Sequence, residues 1–84
     1  YLMDIQVLTV LVMENIKTIL CEAGFSFKNV VKSTIFTVDL NNFSIINKVY
    51  GSFFESKTAP ARETVEVSAL PLGANVEISV IAKK

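Results

Sequence analysis

The 84-residue sequence is apolar at 51% of its positions and charged at 19%, which is typical of a folded chain rather than a disordered one. Eight acidic and eight basic residues give a formal net charge of zero, so no electrostatic footprint for nucleic acid or an anionic membrane is present. One cysteine and no histidine exclude an internal disulfide framework and disfavour a structural zinc site. These features indicate a single small domain, 1–84, in a reducing compartment, either the cytoplasm or an organelle.

Residues 4–23 are predicted to form the first helix, with Asp4 as its N-cap and Gly24 as its C-terminal stop. The second half has helical periodicity and an apolar stripe. The stripe consists of Val12, Ile16, Ile19, Leu20 and Ala23. The first half, residues 5–13, has little polar face and many β-branched residues, so a strand stays the alternative there. This stretch is too short to span a bilayer, and as a helix its first two turns would need a covering partner.

A strand is predicted over residues 30–38, which are rich in β-branched side chains. The turn at 39–42 contains asparagines that can cap a second helix, predicted over residues 43–55. Apolar side chains recur at helical spacing there, at Phe43, Ile46, Tyr50, Phe53 and Phe54. Residues 56–60 are interpreted as a linker, since Pro60 blocks helix continuation.

Two further strands are predicted from alternating apolar and polar residues, one around 64–69 and one over 76–82. Pro71 and Gly73 lie in the loop at 70–74, which favours pairing of the two strands as a hairpin. The order α-β-α-β-β predicts an α+β two-layer sandwich with both helices on one face of a small sheet. Three strands and two helices offer little burial, so we also expect an oligomer.

Arg62 and Glu77 are the candidate functional residues of these strands. The alternation predicts that an apolar set faces the helices, so that Arg62 and Glu77 both emerge on the opposite face of the sheet. That set is Val65, Val67, Ala69, Val76, Ile78 and Val80. The hairpin would separate Arg62 from Glu77 by roughly 20 Å within one chain. A small substrate could not contact both, so a shared site would have to lie between two subunits.

Simpler interpretations exist for each of these residues. Charged side chains on strand edges are usually solvated, and aromatic residues at helical spacing are more typical of a core than of a ligand site. Asn47 would ordinarily face solvent, and Cys21 has no surroundings that would activate its thiol. The sequence contains no glycine-rich phosphate loop, no metal-ligand spacing and no Ser-His-Asp set.

A series of short segments nevertheless resembles the reactive intermediate deaminase family (RidA/YjgF, endoribonuclease L-PSP-like) in order and spacing. The C-terminal segments are Pro60-Ala61-Arg62, Val65-Glu66-Val67, Ala69-Leu70-Pro71, Val76-Glu77-Ile78 and Ile81-Ala82. The earlier ones are Glu14-Asn15-Ile16-Lys17, Ala23-Gly24, Asn29-Val30-Val31-Lys32-Ser33-Thr34 and Asp39-Leu40-Asn41-Asn42-Phe43, with Asn47, Tyr50, Phe53 and Phe54. The resemblance covers nearly the whole chain from Asp4 onward.

The resemblance implies a chorismate-mutase-like α+β fold, a homotrimer and ligand clefts between adjacent subunits. It implies hydrolysis of 2-aminoacrylate-type enamines, through their 2-imino acid tautomers, to 2-keto acids and ammonia, with no metal or organic cofactor. Arg62 matches the arginine that holds the substrate carboxylate, and Glu77 matches the glutamate that orients or activates water. Asn47 matches a residue that lines the cleft, and Thr64 joins Arg62 and Asn47 in the substrate-binding set.

Two departures from the family pattern bear on these expectations. The N-terminal strands of the family have no counterpart in this sequence, so we expect an incomplete cleft and an open edge at strand 76–82. Leu8, Val10 and Leu11 replace the polar residues usual on the first helix.

Two alternative functions stay open, a non-catalytic binder of small carboxylates and an RNA-acting translation inhibitor. The neutral charge argues against direct RNA binding.

Overall fold

The computed structural model describes residues 4–55 and 59–83. Its elements are helices α1 (Ile5–Glu22) and α2 (Phe43–Ser52) and strands β1 (Val30–Thr37), β2 (Ala61–Glu66) and β3 (Val76–Ala82). Short 3₁₀ turns precede β1, α2 and β3. The α+β class and the α-β-α-β-β order are therefore confirmed. The predicted linker at 56–60 falls largely outside the described residues.

Local capping explains where α1 begins and ends. The Asp4 carboxylate accepts a hydrogen bond from the Gln6 backbone N–H at 2.7 Å, and Gly24 adopts a left-handed φ of 80°. The alternative of a strand over residues 5–13 is thereby excluded. Across the described residues, neither helix is both long and apolar enough to cross a bilayer.

The second helix begins at Phe43 as predicted, but its end and its N-terminal cap differ from the prediction. It ends at Ser52, three residues before the predicted end at residue 55. Asn42 occupies its N-cap position without donating or accepting a side-chain capping bond. The local cap comes instead from the Asp39 carboxylate, which accepts from the Asn41 backbone N–H at 2.9 Å.

The sheet has the strand order β2-β1-β3, so the predicted hairpin between the last two strands is wrong. Strand β1 lies in the centre, parallel to β2 and antiparallel to β3. A parallel pair needs a long crossover, and α2 between β1 and β2 supplies one. The connection from β2 to β3 is too long for a tight hairpin turn and carries the chain to the other side of β1. Strand β2 also begins at Ala61 and ends before Ala69, earlier than predicted.

One buried cluster joins the helices to the sheet. Its members are Met13, Ile16, Leu20, Val30, Ile35, Ile46, Tyr50, Val76 and Ile78. The predicted stripe of α1 is right at Ile16 and Leu20, which are buried, and at Val12, which packs against the core. It is wrong at Ala23, which is exposed, and at Ile19, which is 65% exposed. Thr9 and Met13 are buried instead, so the buried face of α1 is rotated slightly away from the predicted apolar stripe. Thr9 satisfies its hydroxyl by donating to the Ile5 carbonyl at 2.7 Å.

Two expectations about uncovered surface agree with the structure. Val7, Val10 and Leu11 are exposed at the start of α1. Among the described strands, β3 pairs only with β1, so residues 76–82 form an edge. Both surfaces are apolar in part and have no covering element within the described chain.

Candidate functional site

The register of the sheet places Arg62 on the side that faces the helices. Arg62 lies beside Ser33 of β1, and Thr64 lies beside Ile35. Ser33 and Ile35 are both buried under the helices, and paired neighbours point to the same face. The prediction that Arg62 faces away from the helices is therefore wrong. The error arose because Val65, used as an inward marker, lies beside Phe36 on the opposite face.

The Arg62 guanidinium lies over an aromatic ring and beside an open cavity. Its Cζ is 5.3 Å from the centroid of the Tyr50 ring. Among the described residues, no carboxylate lies within ion-pair distance of Arg62. The cavity has a volume of about 470 Å³, and we call it the Arg62 pocket. It is lined by Asn47, Tyr50, Gly51, Phe54, Ala59, Pro60 and Arg62.

Tyr50 forms the buried wall of the Arg62 pocket. Its hydroxyl donates to the Ser33 Oγ at 2.8 Å, and both side chains are buried. Burial raises the pKa of the Tyr50 hydroxyl, and the hydrogen bond to Ser33 and the charge of Arg62 partly offset the rise. Tyr50 is therefore neutral at physiological pH, and among the described residues that line the pocket the charged side chain is that of Arg62.

Asn47 lies one helical turn before Gly51 on α2 and lines the same pocket. Its Oδ1 atom is buried and has no hydrogen-bond partner among the residues that the structure describes. A buried amide oxygen without a donor is costly, and a bound group with an N–H or O–H could supply the missing hydrogen bond. Asn47 and Arg62 therefore line one pocket, whereas Thr64 lies on the same side of the sheet but is not among the residues that line it.

Glu77 is separated from these three residues. It lies beside Phe36 on the face away from the helices, as predicted, and is exposed. The register puts Arg62 and Glu77 three residues apart along β1 and on opposite edge strands, which corresponds to about 14 Å between their Cα atoms. The predicted separation of roughly 20 Å assumed a hairpin, and the observed sheet order gives this shorter distance instead. Because the two side chains also point to opposite faces, one small ligand cannot contact both within one chain.

The prediction treated Tyr50 as core, and it is core, but it also lines the pocket together with Gly51 and Phe54. The spacing of the helix contained this information. Asn47, Tyr50 and Gly51 stand at i, i+3 and i+4, which places all three on one face of a helix. A polar asparagine and a glycine without a side chain, on a face that is otherwise apolar, indicate that this face borders an open cavity.

The model of the Endoribonuclease L-PSP family matches residues 3–84, and the chain belongs to this family, which includes the RidA and RutC proteins. A RutC family protein from Pyrococcus abyssi is 51% identical over 82 residues, which are 96% of this chain and 63% of the relative. A goat protein named 2-iminobutanoate/2-iminopropanoate deaminase is 50% identical over 68 residues, or 81% of this chain and 49% of the relative.

Solved structures give the same result for the fold. The crystal structure of Escherichia coli TdcF with bound serine superposes with a TM-score of 0.90 at 38% identity, covering 99% of this chain and 67% of TdcF. The chorismate-mutase-like α+β fold is thereby confirmed. The chain spans about half to two thirds of the length of the curated relatives it matches, at 53% for a Myxococcus xanthus protein, DfrA, and 63% for the Pyrococcus abyssi protein.

Proposed function

We propose that the protein hydrolyses small 2-imino acids, the tautomers of 2-aminoacrylate-type enamines, to 2-keto acids and ammonia. The observation that carries this proposal is the Arg62 guanidinium, which borders a pocket without a carboxylate partner in residues 4–55 and 59–83. A planar guanidinium binds a carboxylate through two parallel hydrogen bonds, which a lysine could not do. The goat relative's name supports the reaction class.

The chemistry needs proton transfer and charge neutralisation. Water adds to the imine carbon, a C–O bond forms, and the electron pair of the C=N π bond takes up a proton at nitrogen. The resulting carbinolamine then breaks its C–N bond, forms a C=O bond and releases ammonia. In the proposal, Arg62 holds the carboxylate, and Glu77 accepts the proton of the attacking water and returns one to the departing nitrogen. The imine carbon is already electrophilic, so no cofactor enters the proposal.

The opposite placement of Arg62 and Glu77 supports a site built from two chains. We propose a homotrimer in the cytoplasm or an organelle, with the pocket of one chain completed by Glu77 of its neighbour. In the single chain, Val65 is 39% exposed and Ile81 is 60% exposed, and both lie on the Glu77 face. Exposed apolar side chains of this kind are consistent with burial of that face against a neighbouring subunit. Asn47 and Thr64 would complete the binding set on the Arg62 side.

The test generates the imine in place with a pyridoxal-phosphate-dependent dehydratase and traps surviving imine with semicarbazide. The protein is expected to divert imine from the trap to the 2-keto acid. Glu77→Gln is expected to lower kcat by about 100-fold, because general acid–base catalysis contributes at least that much. Glu63→Gln is the matched control, since Glu63 is an exposed glutamate on the same face whose partners are Lys32 and Thr34. A Glu77→Gln protein with an undiminished rate would remove Glu77 from the mechanism.

A second candidate function is binding of small carboxylates without turnover. It is favoured by the TdcF structure, in which a protein of the same fold was crystallised with bound serine. Calorimetry with 2-oxobutanoate separates the two candidates. Saturable binding that disappears in Arg62→Ala, combined with no effect on imine lifetime, would select the binding function.

A further inference from the structure

We propose that Tyr50 is the positioning residue of Arg62, and that its ring holds the guanidinium where a substrate carboxylate binds. The proposal rests on the proposed carboxylate-binding role of Arg62 and adds a residue to it. Tyr50 would act through Arg62 rather than on the reacting atoms.

The first observation is the way in which Arg62 is held. Its side chain lies on an edge strand, is exposed, and has no ion-pair partner among the described residues. A long side chain in this situation samples many rotamers. The Tyr50 ring, 5.3 Å from the Arg62 Cζ, supplies a face on which the cation is stabilised by the ring quadrupole.

The second observation is the rigidity of the ring. Tyr50 is 4% exposed, and its hydroxyl is fixed to the Oγ of Ser33, which is 0% exposed. Ser33 is also the strand-pairing partner of Arg62, so the residue that fixes the Tyr50 ring lies directly beside Arg62 in the sheet. The Phe54 ring packs against Tyr50 with centroids 4.8 Å apart. The ring is therefore held at its hydroxyl end and along one side.

A rigid ring lowers the entropy that Arg62 loses when it binds a carboxylate. The effect belongs to binding, so it should alter KM and leave kcat nearly unchanged. Cation–π contacts of this kind change an equilibrium by about 2- to 30-fold, depending on how far the cation is desolvated.

Two double variants isolate the ring from the hydroxyl. Tyr50→Phe with Ser33→Ala keeps the ring and removes both hydroxyls, so neither is left buried without a partner. Tyr50→Leu with Ser33→Ala removes the ring as well. Phe53→Leu is the control, because Phe53 is an aromatic residue of the same region that packs on Phe27 rather than under Arg62.

The first readout is the NMR signal of the Arg62 Nε–H, identified by its loss in Arg62→Lys. An upfield ring-current shift is expected in the parent protein, in Phe53→Leu and in the phenylalanine double variant, and its loss is expected in the leucine double variant. This readout needs no turnover, so it decides the proposal even if the protein hydrolyses no imine. An unchanged Arg62 signal in the leucine variant would overturn the proposal.

The second readout is affinity, measured as KM for the imine or as Kd for 2-oxobutanoate. The leucine double variant is expected to be weakened by about 2- to 30-fold, and the phenylalanine double variant by a smaller factor. Equal weakening in the two double variants would assign the effect to the Tyr50–Ser33 hydrogen bond and would overturn the role of the ring.

Discussion

The two edge strands β2 and β3 flank the same central strand, yet they place their apolar residues differently. In β3, Val76 and Ile78 are buried beneath the helices, and Glu77 is exposed on the other face. In β2, Arg62 lies on the helix side and Val65 lies on the other side. Helix α1 packs against β3, whereas neither helix packs extensively on β2. Helix α1 thus covers the apolar residues of β3, whereas β2 is the less covered strand and presents Arg62 on its helix side, beside the open pocket.

The largest expected effect tests this difference in cover. Ile78→Ala in β3 should lower the free energy of unfolding by about 2–4 kcal/mol at any protein concentration, because its cavity lies within the chain's own core. Val65→Ala in β2 should cost less than about 1 kcal/mol in dilute protein, because the described chain covers this side chain only partly. Urea denaturation at several protein concentrations measures both. Equal losses in dilute protein would contradict the distinction between the strands.

The next effect concerns the binding of a substrate carboxylate by Arg62 of β2. Arg62→Ala should lower kcat/KM for a 2-imino acid by about 100-fold, because a charge-assisted pair of hydrogen bonds to the carboxylate is lost. Lys32→Ala is the matched control, since Lys32 is an exposed cation on the other face, 3.8 Å from the Glu63 carboxylate. Steady-state kinetics with imine generated in place give both values. A normal rate in Arg62→Ala would assign the pocket another purpose.

A smaller effect is a pH dependence that arises from Tyr50, in the wall of the Arg62 pocket. The folded state raises the pKa of Tyr50 above the ordinary 10.0, chiefly through burial, so the unfolded chain releases this proton first as pH rises. The stability contributed by protonated Tyr50 is therefore complete below pH 10 and is lost as pH rises through the folded pKa. Between the unfolded and the folded pKa of Tyr50, unfolding midpoints should fall less steeply with pH in Tyr50→Phe with Ser33→Ala than in the parent protein. Identical slopes would contradict the assignment.

The smallest effect is expected at Gly51, in the helical wall of the pocket. An added Cβ there meets no atom within 4 Å, so Gly51→Ala should stabilise the fold by about 0.5–1 kcal/mol through helix propensity. Gly73→Ala is the control, because Gly73 has a φ of +70° and equally open surroundings, and alanine there should destabilise. Thermal unfolding gives both signs. A destabilising Gly51→Ala would mean that another chain occupies the space.

Much of the fold could be predicted from the sequence, because the relevant signals are local. Asp4 and Gly24 bound α1, and the alternation over 76–82 gives both the extent of β3 and the exposed side of Glu77. Family resemblance also identified Arg62, Asn47 and Thr64 as one set, and the structure places them on one side of the sheet. Their roles stay predictions.

The sheet order and the orientation of Arg62 could not be read locally. Alternation shows that neighbouring residues face opposite sides, but it does not show which side a helix covers. Residue 65 was taken as inward because it is valine, but its strand-pairing partner Phe36 lies on the face away from the helices. Pairing of β1 with β2 is likewise a long-range property. The strand–helix–strand order favours this parallel pairing, but the loop at 70–74 resembles a hairpin turn and led to a predicted pairing of the last two strands instead.

The central position of β1 has a consequence for biosynthesis. Both of its pairing partners follow it along the chain, β2 from Ala61 and β3 from Val76. No strand pair of this sheet can therefore form on the ribosome until residues beyond 61 have emerged, and the β3 edge joins later still. The core around Met13 and Leu20 therefore cannot be completed before β3 has been synthesised, because Val76 and Ile78 belong to the same buried cluster.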